Sequence, residues 1–216
     1  MIKRFSQILL FVSALLPLLA CADEKSAAPA YVAGKHYEVL PTPIPLVEAG
    51  KIEVAEFFWY GCVHCYHFEP SVAAWLKKLP KDVNFVRVPA VWHPDMAMHA
   101  RMYYAAQQLN KLDEMHDGFF NAMQVGKMKL NSREEIAKLF AEKGVSSELF
   151  AKTFDSFGTD SMVKQAQAKA TGAKISGTPE LVVNGKYRIS SRGAGSQAEM
   201  LKVADFLIAQ ERAAKK

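Results

Sequence analysis

Cys62-Val63-His64-Cys65 is the stretch of this 216-residue chain best equipped for chemistry. Two residues between cysteines, wound into a first helical turn, bring the sulfurs close enough to bridge. A cysteine that opens a helix meets unpaired backbone N–H groups and the positive end of the helix dipole, and both stabilise its thiolate. His64, when charged or donating a hydrogen bond, adds to that effect. A stabilised thiolate at Cys62 is a good leaving group when another thiolate attacks. It also lowers the free energy of the dithiol relative to the disulfide, which makes the disulfide a stronger oxidant. The pattern points to thiol–disulfide exchange. Two other uses of the same residues fit less well. A structural disulfide at this spacing on a helix start is strained and easily reduced, hence a poor staple. A zinc site from Cys62, His64, Cys65 and His67 fails on geometry: ligands on one short helical segment cannot surround a metal tetrahedrally, and no second pair follows at zinc-finger spacing.

Such a site needs elements that hold the cysteines where a strand ends and a helix begins. Ile52 to Phe58 is apolar, β-branched and aromatic between Gly50 and Gly61, and reads as that strand. Helical signal runs from the Cys pair to about Leu79, with Pro70 inside it as a kink point. Val83 to Val88 reads as a second strand, parallel to the first across a right-handed crossover. From Asp95 to Ala173 the texture is helical. Ser132 with Glu135 forms a capping box for a helix running to Lys143, and Ser146 and Thr159 are read as further helix starts. Asn184-Gly185-Lys186 between apolar runs marks a hairpin. Ser196 with Glu199 caps a C-terminal amphipathic helix. The outline is a β-α-β half and a β-β-α half separated by a helical block.

Gly177-Thr178-Pro179 lies just before the hairpin. With Phe57-Phe58-Trp59-Tyr60-Gly61-Cys62-Val63-His64-Cys65-Tyr66-His67-Phe68-Glu69, with Val182-Val183-Asn184-Gly185-Lys186-Tyr187, and with the helical block between, it resembles the bacterial DsbA family of the thioredoxin superfamily over nearly all of the mature chain. The resemblance implies an α/β thioredoxin-like fold over residues 35–93 and 174–216, with an inserted all-helical domain at 94–173. It implies a cis Pro179 facing the disulfide, Thr178 pairing its backbone with an extended substrate segment, and Pro70 as the kink of the active-site helix. It also implies a buried Glu56 beneath the Cys pair, placed to take or return the proton of Cys65. Val63 departs from the best-known members, which carry Pro there, and bears on the redox strength. The reaction implied is oxidation of reduced, unfolded exported proteins in the periplasm, with reoxidation by a DsbB-like quinone-linked membrane oxidase. The redox-active disulfide itself is the only redox group required, with no metal and no organic cofactor, and the enzyme is expected to act as a monomer. A reductase, an isomerase and a non-catalytic binding lipoprotein are the alternatives; residues 22–34 are too short for the dimerisation domain of an isomerase, and the intact Cys pair argues against a purely binding role.

The N-terminus places this chemistry outside the cytoplasm. Lys3 and Arg4 followed by the apolar run Ile8–Leu19 read residues 1–20 as an export signal, too short to be a comfortable membrane span. Leu18-Leu19-Ala20-Cys21 resembles a lipobox, and lipidation at Cys21 accounts for the one cysteine left outside the pair. Ala20-Cys21-Ala22 also fits ordinary cleavage to a free periplasmic form. Residues 21–34, rich in Ala with Pro29 and Gly34, then form a tether. Without Lys3 and Arg4 the formal charge falls from +5 to 25 basic against 22 acidic residues, a mild excess that gives no case for nucleic acid. His93, His99 and His116 carry no motif and are read as structural, His67 as surface or packing, and Met96, Met98 and Met102 as helix core rather than a substrate groove.

Overall fold

The computed structural model describes residues 30–215. Cys21, the export signal and most of the tether lie outside them. Five strands form one sheet: β1 (Glu38–Val39), β2 (Ile52–Phe58), β3 (Val83–Pro89), β4 (Glu180–Val183) and β5 (Tyr187–Ser190), in the order β1-β5-β4-β2-β3. β2 and β3 are parallel and joined by helix α1 (Val63–Leu76); β2–β4, β4–β5 and β5–β1 are antiparallel. Five helices fall between β3 and β4: α2 (Pro94–Gln108), α3 (Leu112–Gln124), α4 (Arg133–Ala141), α5 (Ser147–Phe154) and α6 (Phe157–Gly172). After β5 come the short α7 (Ser191–Ala194) and the long α8 (Gln197–Ala214). This is a thioredoxin fold with a helical insertion.

Strand parity decides what lies under the cysteines. β2 is buried along its whole length, so both faces must be covered. Ile52 and Val54 pack with Phe68 and Val72 of α1 and with Met200, Val203 and Leu207 of α8. Ala55 and Phe57 face the other way, against Ala166 and Ala170 of α6. Glu56 shares parity with Val54 and Phe58 and so faces α1, whereas Glu53 faces α6 and meets Lys169 at 2.6 Å. A third cluster fills the helical insertion and reaches the Cys pair: Phe58, Tyr60 and Cys65 pack with Phe119, Phe120, Phe140, Phe150 and Phe154.

Local chemistry sets the element ends. Asn184 (φ 50°) and Gly185 (φ 67°) make the hairpin turn, closed by Lys186 N–H donating to Val183 O at 3.0 Å. The backbone of Ile44 packs directly on Gly185, where a side chain would have no room. Ser132, Ser146 and Ser196 cap α4, α5 and α8, each accepting from the backbone N–H three residues on. α6 starts earlier than Thr159: Ser156 is the cap, and Thr159 is buried inside the first turn, where its hydroxyl donates to Thr153 O. α1 ends at Leu76 rather than Leu79, and α4 at Ala141. Tyr31, within the expected tether, packs on the body: its hydroxyl donates to Glu199 Oε2 at 3.0 Å and its ring meets Phe206 edge-on.

Candidate active site

Cys62 is the N-cap of α1, with extended backbone (φ −89°, ψ 113°) and no capping side chain of its own. The turn before it is tight: Cys62 N–H donates to Trp59 O at 2.9 Å, and the Trp59 indole lies over Gly61, where a side chain would collide with it. The indole N–H in turn donates to His99 Nδ1 at 2.8 Å, and the other ring nitrogen of His99 bonds Lys129 O at 2.9 Å. Burial pulls the His99 pKa down, so it is a neutral structural histidine.

The two thiols differ sharply. Cys62 is half-buried, and its Sγ lies 3.2 Å from Thr178 O across the cis Thr178–Pro179 peptide bond. A hydrogen bond from Cys65 draws its pKa down to about 5; burial opposes this, and bonds from Thr178 and from the backbone N–H groups of Cys65 and His64 reinforce it. Cys65, one turn into the helix, is buried, and its pKa is pushed well above the ordinary thiol range, first by burial and then by its bond to Cys62. The His64 side chain is exposed; what reaches the Cys62 sulfur is its backbone N–H. Val63 is also exposed, and His67 faces solvent.

Glu56 is wholly buried, and neither carboxyl oxygen has a hydrogen-bond partner. Burial, helped by the charge of Glu69 and opposed by Arg87, raises its pKa to about 8, so the acid is held protonated at neutral pH. Its charge environment includes residues that the sequence reading passed over. Arg87 Nε lies 3.4 Å from Glu56 Oε2, and Arg87 Nη2 donates to Glu69 Oε2 at 2.8 Å. Glu69 Oε1 lies 3.3 Å from His116 Nε2, and His116 Nδ1 shares a 2.7 Å hydrogen bond with Tyr60 Oη. The signals were present: Cys62, Cys65 and Glu69 recur at spacings of three and four along one helix face, and Arg87 interrupts a run of valines. Met96 and Met102 are buried in the core and Met98 partly so. Among the described residues no group of three His, Cys, Asp or Glu side chains can hold a metal, and no helix is long and apolar enough to cross a membrane.

The sequence profile of the DSBA-like thioredoxin domain matches residues 84–203. The thiol:disulfide interchange protein DsbA of Pseudomonas aeruginosa is 41% identical over 207 residues, covering 96% of this chain and 98% of that protein. DsbA of Azotobacter vinelandii is 42% identical over 181 residues, covering 84% and 85%. The crystal structure of Pseudomonas aeruginosa DsbA superposes with a TM-score of 0.82 at 43% identity, covering 86% of this chain and 97% of that one. With a half-buried, acidic thiol at a helix start, a buried partner thiol and a cis-proline loop beside them, the chain belongs to the DsbA family of thioredoxin-fold thiol:disulfide interchange proteins.

Proposed function

We propose that this chain is a periplasmic disulfide donor that oxidises reduced, unfolded exported proteins through Cys62 and Cys65. The observation that carries the proposal is the asymmetry of the pair: an accessible thiol with a pKa near 5 next to a buried one held protonated. A substrate thiolate attacks Cys62 Sγ, and the electron pair of the Cys62–Cys65 bond leaves on Cys65 Sγ. Glu56, protonated at neutral pH, supplies the proton that neutralises it. A second substrate thiolate then attacks the substrate sulfur of the mixed disulfide, and Cys62 departs as the stabilised thiolate. Two substrate thiols become one disulfide, and the enzyme pair takes up the two electrons. Thr178 lends its backbone to the bound segment beside Pro179, and Val63 and His64 border the attacked sulfur.

A DsbB-like quinone-linked membrane oxidase is the proposed acceptor of those electrons, as the family relationship supports. Lipidation at Cys21 is the proposed tether to the membrane, resting on the lipobox-like Leu18-Leu19-Ala20-Cys21. Partitioning into detergent phase tests the tether: wild type enters the detergent and Cys21→Ser stays aqueous, whereas an aqueous wild type with a mature N-terminus at Asp23 refutes it. Alkylation of the reduced protein at mildly acidic pH tests the pair: Cys62 is labelled and Cys65 is not, and preferential labelling of Cys65 refutes the assignment.

A further inference from the structure

A cleft of about 360 Å³ opens between the start of α1 and the α7–α8 corner, walled by His64, Thr178, Ser191, Arg192, Ser196 and Gln197. It adjoins the exchange site directly. His64 sits between the two cysteines, and the Thr178 carbonyl lies 3.2 Å from Cys62 Sγ. The far wall is fixed to the near one: Gln197 Nε2 donates to His64 O at 2.6 Å. The corner itself is braced by two serine caps, Ser190 accepting from Gly193 N–H at 3.1 Å and Ser196 from Glu199 N–H at 3.1 Å. The wall is therefore a built surface and not a loose loop.

Its charge is one-sided. No acidic side chain lines the cleft. Arg192 is exposed and has no hydrogen-bonded or ion-paired partner among the described residues. The nearest acid along the chain, Glu199, is turned to Tyr31 Oη at 3.0 Å and Lys202 Nζ at 2.6 Å. Glu180 is buried and accepts from Ser176. A guanidinium offers five donors in a planar fork and no acceptor, so an uncommitted one next to a reaction centre favours a carboxylate. The Ser191 and Ser196 hydroxyls and the His64 ring supply further polar partners around it.

We infer that this cleft is a subsite for an acidic side chain, Asp or Glu, carried by the substrate within a few residues of the cysteine that attacks Cys62. The inference rests on the exchange function proposed above and adds a substrate preference to it. An extended segment laid along Thr178 advances about 3.3 Å per residue, so a side chain one or two positions from the attacking cysteine spans the cleft. Arg192 acts there as a specificity residue, favouring encounter with acidic flanks and disfavouring basic ones.

The test uses the oxidised protein purified from the exporting cell and peptides blocked at both ends. Each peptide has one cysteine, and Asp, Asn or Lys stands at a position within two residues of it on either side. The readout is the rate of mixed-disulfide formation at Cys62, expressed as the Asp/Asn and Lys/Asn ratios within each protein, so that active concentration cancels. Wild type should favour Asp over Asn by about two- to fivefold at low ionic strength at one or more positions, as an exposed ion pair allows. That preference should shrink toward one as salt shortens the range of charge. Arg192→Gln should bring the ratio to one, and Arg192→Glu should turn the preference toward Lys. A wild-type ratio of one at every position, or the same ratio in all three proteins, overturns the subsite. If the Asn peptides react while the ratio is one, exchange stands and only the subsite falls. If no peptide forms a mixed disulfide with wild type, the exchange function falls and the subsite with it.

Discussion

Replacing Glu56 by Gln should make the protein more stable at neutral and alkaline pH, by an amount that grows with pH. The carboxyl is wholly buried and its oxygens have no hydrogen-bond partner, so burying the charged form is opposed by lost hydration. Arg87 at 3.4 Å offsets part of this, but Arg87 also serves Glu69, whose charge adds to the penalty. The folded-state pKa of about 8 stands above the ordinary 4.5. The folded state therefore binds the Glu56 proton more tightly than the unfolded state does. That contribution to stability is fully present below pH 4.5 and is lost as pH rises through about 8. At about 1.4 kcal/mol per pH unit across that window, the loss reaches about 5 kcal/mol. Gln keeps the shape and cannot ionise, so it escapes the loss. Urea unfolding of the oxidised protein, in which neither Cys62 nor Cys65 titrates, gives the wild-type and Glu56→Gln stabilities from pH 4 to 9 on a common basis. Their difference should be flat at the acidic end, rise through the window and level off near the top. A difference that does not change with pH refutes the buried, protonated acid. So does a variant that loses stability relative to wild type as pH rises.

Three further outcomes follow from other parts of the structure. The Cys62 thiolate should titrate with a midpoint near 5, read from thiolate absorbance of the reduced protein. Because that folded pKa is depressed, its contribution to the stability of the reduced form is present above the unfolded thiol pKa and is lost as pH falls through about 5. Phe120→Ala empties a fully buried site against Phe58, Tyr60 and His116 and should lower stability by about 3–5 kcal/mol in denaturant unfolding. Ser156→Ala removes the α6 cap and should lower stability by about 1 kcal/mol, whereas a change within error means that another group satisfies the Thr159 N–H.

Much of the fold was legible because the relevant signals are local. β2 was visible as an apolar run because it is buried on both faces, and the hairpin because Asn184 and Gly185 accept positive φ. Three helix starts were marked by their serines. Ser156 was missed because Thr159, another cap-type residue, stands three residues on and was read as the start in its place. β1 is two exposed residues whose only strand signal is pairing with β5, which no sequence pattern carries. The Cys pair at a helix start was readable from residue type and spacing. The burial of Glu56 came from the family resemblance alone, and its companions Arg87, Glu69, His116 and Tyr60 were not readable as a set, since charged residues read as surface until strand parity and the α1–α3 packing bring them together. His99 and His116 are structural in the sense of being buried and hydrogen-bonded, yet His116 joins Glu69 and, through it, Arg87 and Glu56.

Donation of the Cys62–Cys65 disulfide to substrate can be followed in an anaerobic stoichiometric transfer. Oxidised protein is mixed with a reduced, unfolded exported protein that has two thiols, and the products are read by mass after thiol alkylation. Each substrate disulfide formed should be matched by two new thiols, at Cys62 and Cys65, with a mixed disulfide on Cys62 preceding them. Cys62→Ser should abolish both. Substrate thiols that stay reduced beside the oxidised enzyme, or oxidation that persists in Cys62→Ser, would contradict it.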